Sequence, residues 1–205
     1  MFKEIDKEIE IYSEKHPELK NARYHIFNKP LLKADINDIE FVVIGMNPGE
    51  SKRVLKRLEK PVQEETSWMR KIRDFCGTDN VIQTEAFFWS SKNIKKDFKD
   101  RYGYSFDSEP CRKHLQFCKE RNMLLISHYK PKAVIAPGLK LAKDILSVYG
   151  LEPMCAVRCP ETGHRLIEKY LGKDGLPWLF TKHWSGARDF RDDQKKLIKN
   201  YIQSL

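Results

Sequence analysis

Gly45-Met46-Asn47-Pro48-Gly49 hangs a carboxamide on a tight turn directly after an apolar run, Phe41-Val42-Val43-Ile44. In open α/β sheets the carboxyl end of a strand is where ligands bind and chemistry takes place. Pro48 fixes its own φ and turns Asn47 away from helical angles, while the two glycines permit a sharp turn and close approach of another molecule. Asn-Pro and Pro-Gly pairs also end strands without any further role. A second set, His183, Ser185 and Arg188, follows the apolar triplet Trp178-Leu179-Phe180 and offers an imidazole, a hydroxyl and a guanidinium. A nucleophilic triad is disfavoured, because the chain has no GxSxG elbow. A phosphate-cradling P-loop is excluded, because Glu50 stands where the second glycine would precede Lys-Ser/Thr. No GxGxxG follows a strand, which argues against a dinucleotide oxidoreductase.

These residues need strands to present them, and the apolar patterning supplies four. The expected strands cover about 40–45, 81–88, 132–136 and 178–180. Phe2, Ile5, Ile9 and Tyr12 recur at helical spacing and predict a helix within about 1–20. Trp68, Met69, Ile72, Phe75 and Cys76 predict another, entered at Thr66-Ser67 and closed by Gly77. Ser108 is the expected cap of a long helix reaching Tyr129, and the stretch 93–108 reads as polar and irregular. Leu141, Ala142, Ile145, Leu146 and Tyr149 mark a further helix, and Phe190, Leu197, Ile198, Tyr201 and Leu205 mark the last. Strands alternating with helices and apolar on both faces predict a three-layer α/β/α sandwich around a short, mainly parallel four-stranded sheet, in a single domain spanning 1–205.

A chain of 205 residues with 40% apolar and 33% charged residues can bury a good core. No run approaches the roughly 20 apolar residues that span a bilayer, and the first residues lack a signal-peptide core, so an intracellular, cytoplasmic monomer is expected. Five cysteines with no CxxC pair point to reduced thiols rather than disulfides or a zinc or iron–sulfur site. The formal charge of +9 favours a polyanionic partner. Lys52, Arg53, Lys56, Arg57 and Lys60 crowd the segment after the Asn-Pro-Gly turn, and Lys92, Lys95, Lys96, Lys99 and Arg101 follow the second strand. Either cluster also reads as a solvated face; both following strand carboxyl ends suggests a shared edge.

The two motifs together resemble those of the uracil-DNA glycosylase superfamily, nearest its mismatch-specific and single-strand-selective branches. Gly45-Met46-Asn47-Pro48-Gly49 is similar to its first motif, His183-Trp184-Ser185-Gly186 to its second, and the segment 130–138 to its third strand, across residues 38–203 in element order. The resemblance implies a DNA base-excision glycosylase, with DNA as partner and no metal or cofactor. Asn47 would hold the attacking water and His183 would donate a hydrogen bond to the departing base. Gly45, Met46, Pro48 and Gly49 would shape the base pocket, while Ser185, Gly186 and Arg188 would grip phosphates beside a flipped nucleotide.

Three features depart from that pattern. Where the family places a base-reading Asn, this chain has Thr84-Glu85, with Glu85 aligned and Thr84 one residue away. An ionised Glu85 only accepts hydrogen bonds, whereas a protonated one donates and accepts, which leaves uracil specificity open and allows a different modified base. The stacking aromatic lacks its usual context; Trp68 is the nearest candidate, with Phe87, Phe88 and Trp89 as others. Trp184 replaces a proline and is a candidate wedge or stacking surface against DNA. The competing readings are a base-binding module without hydrolysis and an enzyme acting on free nucleosides.

Overall fold

The computed structural model describes residues 1–19, 38–48, 67–91, 98–184 and 190–205, without the side chains of 141–144 and 146. The strands are β1 Phe41–Gly45, β2 Val81–Glu85, β3 Ala133–Pro137, β4 Glu152–Arg158, β5 Arg165–Leu171 and β6 Pro177–Thr181. They form one sheet in the order β2-β1-β3-β6-β5-β4. β2, β1, β3 and β6 run parallel, and the β4–β5 hairpin adds to β6 antiparallel.

The sheet therefore has six strands and not the four that the apolar runs predicted. The missed pair has a physical reason. β4 is exposed along nearly its whole length and carries Glu152, Pro153 and Arg158, so no buried run betrays it. An antiparallel edge tolerates a wet face that a central parallel strand does not. Pro153 and the register irregularities flanking Cys155 and Arg158 also make this edge a poor template for further pairing.

The helices among the described residues are α1 Phe2–Lys15, α2 Ser67–Cys76, α3 Phe98–Tyr102, α4 Glu109–Tyr129, α5 Ala142–Tyr149 and α6 Asp192–Gln203. Alternation along β1 sends Phe41 and Val43 to one face and Val42 and Ile44 to the other. The first pair packs with Ile135 and Leu179 against Met69, Ile72 and Phe75 of α2 and Ile198 and Ile202 of α6. The second pair packs with Val134, Ala136 and Phe180 against Ile126 of α4 and Ile145 and Tyr149 of α5. Beyond α4 lies a third cluster, in which Ile5 and Ile9 of α1 and Leu19 close over Phe87, Phe88, Trp89, Phe98 and Phe117.

Two local expectations change. The stretch assigned as irregular contains α3, whose Phe98 and Tyr102 are buried at i,i+4 spacing together with Phe106. Two buried aromatics one turn apart outweigh the charged residues between them. Ser108 occupies the N-cap position of α4 but makes no capping bond, and its hydroxyl instead donates to the Ser105 carbonyl at 2.6 Å. α4 itself is unbroken over 21 residues. All five cysteines are free thiols, four of them buried. Among the described residues no helix is long and apolar enough to cross a membrane.

Candidate functional site

β1 and β2 end side by side, with Gly45 opposite Glu85. Alternation puts Gln83 and Glu85 on the α2/α6 face of the sheet and Thr84 on the other. The Glu85 carboxyl folds over Gly45 so closely that a Cβ there would lie 2.1 Å from Oε2. Any side chain at position 45 would have to displace that carboxyl. Glu85 is 7% exposed, and its Oε1 accepts a long hydrogen bond from Gln83 Nε2 at 3.4 Å. Burial pushes the Glu85 carboxyl up to about 8, against a weak opposing effect of Gln83, so it is largely protonated at neutral pH.

Thr84 does not share this position. Its hydroxyl donates to Asn122 Oδ1 at 2.7 Å under α4, on the opposite face from Glu85. Asn122 Nδ2 in turn donates to the Glu85 carbonyl and to Tyr149 Oη, each at 2.9 Å. Thr84 is thus a core hydrogen-bonding residue and not a base-reading one. The Asn122 bridge fixes the backbone of Glu85 from behind.

Asn47 follows in the loop after β1. Its Nδ2 donates to Ser91 Oγ at 2.8 Å and to the Pro48 carbonyl at 3.1 Å. With both amide hydrogens committed, the group it has left to offer is the Oδ1 acceptor. The Pro48 carbonyl also accepts from Ser91 N at 3.1 Å, and the carbonyls of Gly45 and Met46 accept from Ala86 N and Phe87 N, each at 2.8 Å. The Asn47 loop is therefore stitched along the segment that leaves β2. Met46 is half-buried and packs against both apolar clusters on the α4 side.

His183 lies two residues beyond β6, exposed, with its ring stacked on Trp68 at 5.5 Å and 16°. β3 alone separates β1 from β6, so their carboxyl ends stand about 10 Å apart. Between them β3 runs into Gly138, whose φ of +143° suits glycine and whose N–H donates to the Thr181 carbonyl at 2.8 Å. Glu85, Asn47 and His183 thus stand along one edge of the sheet, with Trp68 on the same side as Glu85.

Other aromatic candidates are accounted for by the core. Trp184 is 2% exposed and stacks on Phe75 at 4.5 Å and 6°, so it is no wedge for DNA. Phe87, Phe88 and Trp89 are fully buried, which removes them as stacking partners for a base. Gly49, Lys52, Arg53, Ser185, Gly186 and Arg188 lie outside the described residues, as do Lys92, Lys95 and Lys96. Lys99 and Arg101 are exposed on α3. Cavity size alone does not single out this edge. A groove of about 660 Å³ lined by Tyr12, Arg112, Gln116, Phe117 and neighbours contains none of these residues.

Sequence reasoning missed Ser91, Gln83 and Asn122. Ser91 is the second of two serines that follow the apolar run 86–89, which is the one sign that it faces a polar group. Asn122 had none, since a single Asn inside a long helix is common.

No protein-family model matches the chain, and no curated protein does. Among solved structures it is similar to a domain of unknown function, DUF1537, from Bordetella bronchiseptica, crystallised as a domain-swapped dimer with bound citrate. The identity is 12% and the TM-score 0.36, over 81% of this chain and 41% of that one. The chain thus spans about two-fifths of that structure's length. No family model and no curated protein supports membership of the uracil-DNA glycosylase superfamily, so the expectation drawn from the two motifs does not hold. The motifs have local explanations: Gly45 makes room for Glu85, and Trp184 belongs to the core.

Proposed function

We propose that the carboxyl edge of the parallel strands binds a nucleobase and hydrolyses its N-glycosidic bond, with DNA as the carrier of the base. The observation that carries this reading is a pinned Asn47 amide and a buried Glu85 carboxyl at the carboxyl ends of two adjacent parallel strands. Asn47 Oδ1 accepts a hydrogen bond from water and holds it for attack. The water oxygen bonds to C1′ as the C1′–N bond breaks, the electron pair leaves on the base, and the water's proton passes to solvent. Positioning of this kind lowers a barrier without a strong base. His183 donates a hydrogen bond to the base oxygen where negative charge collects. Glu85, protonated at neutral pH, both donates to and accepts from the edge of the base. The formal charge of +9 supports a polyanionic substrate.

The test is incubation of the protein with single- and double-stranded oligonucleotides carrying uracil, hypoxanthine, xanthine or hydroxymethyluracil, followed by alkaline cleavage of abasic sites. Strand scission at one lesion supports the reading, and none at any lesion overturns it.

One observation favours a second reading, in which the edge binds a base without hydrolysis. The Glu85 carboxyl rests on backbone and is almost wholly buried, an arrangement suited to recognising an edge. Lesion-selective binding in a gel-shift assay with no product would select it.

A further inference from the structure

The end of α1 meets the first half of α4 through two imidazoles and a carboxylate that no role described so far uses. His16 caps α1 and Glu18 lies in the 3-10 turn Pro17–Leu19, while His114 projects from α4. Glu18 Oε1 lies 3.1 Å from His16 Nδ1 and 3.2 Å from His114 Nε2, and one ligand atom from each residue falls within 4.8 Å of the others. Tetrahedral Zn²⁺ with bonds of about 2.0–2.1 Å places its ligand atoms about 3.3 Å apart. The two carboxylate–imidazole separations sit close to that edge length.

A second observation points into the same cluster. The His114 side chain is 2% exposed, and its Nε2 is buried with no hydrogen-bond partner, although Glu18 is near enough in distance. A buried nitrogen left without a bond is costly unless something else satisfies it. Tyr12 engages the other ring nitrogen, its hydroxyl lying 2.9 Å from His114 Nδ1. With the proton on Nδ1 and donated to Tyr12 Oη, Nε2 carries a free lone pair 3.2 Å from Glu18 Oε1. Tyr12 also holds the other imidazole, stacking on His16 at 4.2 Å and 27°, and is itself clamped against Phe117 at 3.8 Å. An outer partner that orients metal-binding histidines is the usual companion of such a site.

We propose that His16 Nδ1, Glu18 Oε1 and His114 Nε2 bind a divalent first-row transition ion, Zn²⁺ foremost, and so fasten the turn after α1 to α4. His16 and Glu18 are 33% and 29% exposed, which leaves the fourth position to water and gives the ion a way in. The inference is independent of the sheet-edge chemistry, since it shares no residue with it.

The test is Zn²⁺ titration of the full chain in competition with a chromophoric chelator, Co²⁺ substitution read by visible absorption, and thermal melting with and without metal. One equivalent of tightly bound Zn²⁺, a four-coordinate Co²⁺ spectrum and a metal-dependent rise in Tm are expected. His16→Ala and Glu18→Gln alter exposed positions and should each weaken binding by about 10-fold or more while the apo fold is kept. Tyr12→Phe should weaken it by about 10-fold through loss of the orienting hydroxyl. Absence of binding by the native chain overturns the proposal. So does binding that survives His16→Ala and Glu18→Gln but is lost in Cys159→Ser, because Cys159, Glu161 and Asp193 form another cluster of possible ligands.

Discussion

The Glu85 carboxyl group lies directly over the bare backbone of Gly45, its neighbour across the parallel β1–β2 pair. A methyl group on Gly45 would collide with Oε2, and Glu85 is buried too deeply to swing aside freely. Gly45→Ala should therefore destabilise the fold by about 2–3 kcal/mol, in the range of overpacked cores. Combining it with Glu85→Ala should recover a large part of that loss. Urea denaturation of the two single variants and the double variant measures the coupling; additive effects would dissociate the two residues.

Protonation of Glu85 gives the fold a pH dependence. Burial raises its pKa from an ordinary 4.5 to about 8, so between these values the folded chain holds a proton that the unfolded chain has released. The stability this group contributes is full below about pH 4.5 and is lost as pH rises through about 8. Glu85→Gln, which cannot ionise, should remove that slope and be the more stable protein at pH 9, by up to about 5 kcal/mol. Chemical denaturation across this pH range checks it. Parallel slopes in the two proteins would mean that the carboxyl is already ionised at neutral pH.

Asn47→Ala should lower base release by about 10²-fold or more, because the water loses its anchor, while affinity for DNA stays within about threefold. Ser91→Ala leaves the amide in place but frees one of its hydrogens, and a loss of about 10-fold is expected. Single-turnover kinetics on the lesion identified by the oligonucleotide screen, with binding measured separately, distinguishes the two effects. Unchanged turnover in Asn47→Ala would end its assigned role.

Trp184 should behave as a core residue. Its stack on Phe75 predicts that Trp184→Ala costs about 3–5 kcal/mol, as large-to-small core changes do. Trp184→Phe should cost markedly less, since it keeps a ring on Phe75 and removes an indole Nε1 that has no hydrogen-bond partner among the described residues. Melting temperatures test the ranking. Lower DNA affinity in Trp184→Phe at unchanged stability would instead return this residue to the interface.

What could be read from the residues alone was whatever short-range periodicity controls. The uniformly apolar runs at Phe41–Ile44 and Ala133–Ala136 identified buried parallel strands, and Trp68 to Cys76 identified a helix. The same patterning placed Asn47 and His183 beyond strand ends, because a turn after a parallel strand must lie at its carboxyl edge. It gave no access to β4, exposed along nearly its whole length, or to β5, whose buried residues are the short pair Leu166 and Ile167. Nor could it choose between Thr84 and Glu85. One step along a strand reverses the face, and what waits on each face, Asn122 behind one and Gly45 beneath the other, comes from elements distant in sequence. The His16, Glu18 and His114 cluster belongs wholly to the tertiary structure, since its third member arrives from 96 residues away on another helix. Local sequence sets backbone preference and burial period; the environment that protonates a carboxyl or gathers ligand atoms exists once distant segments pack.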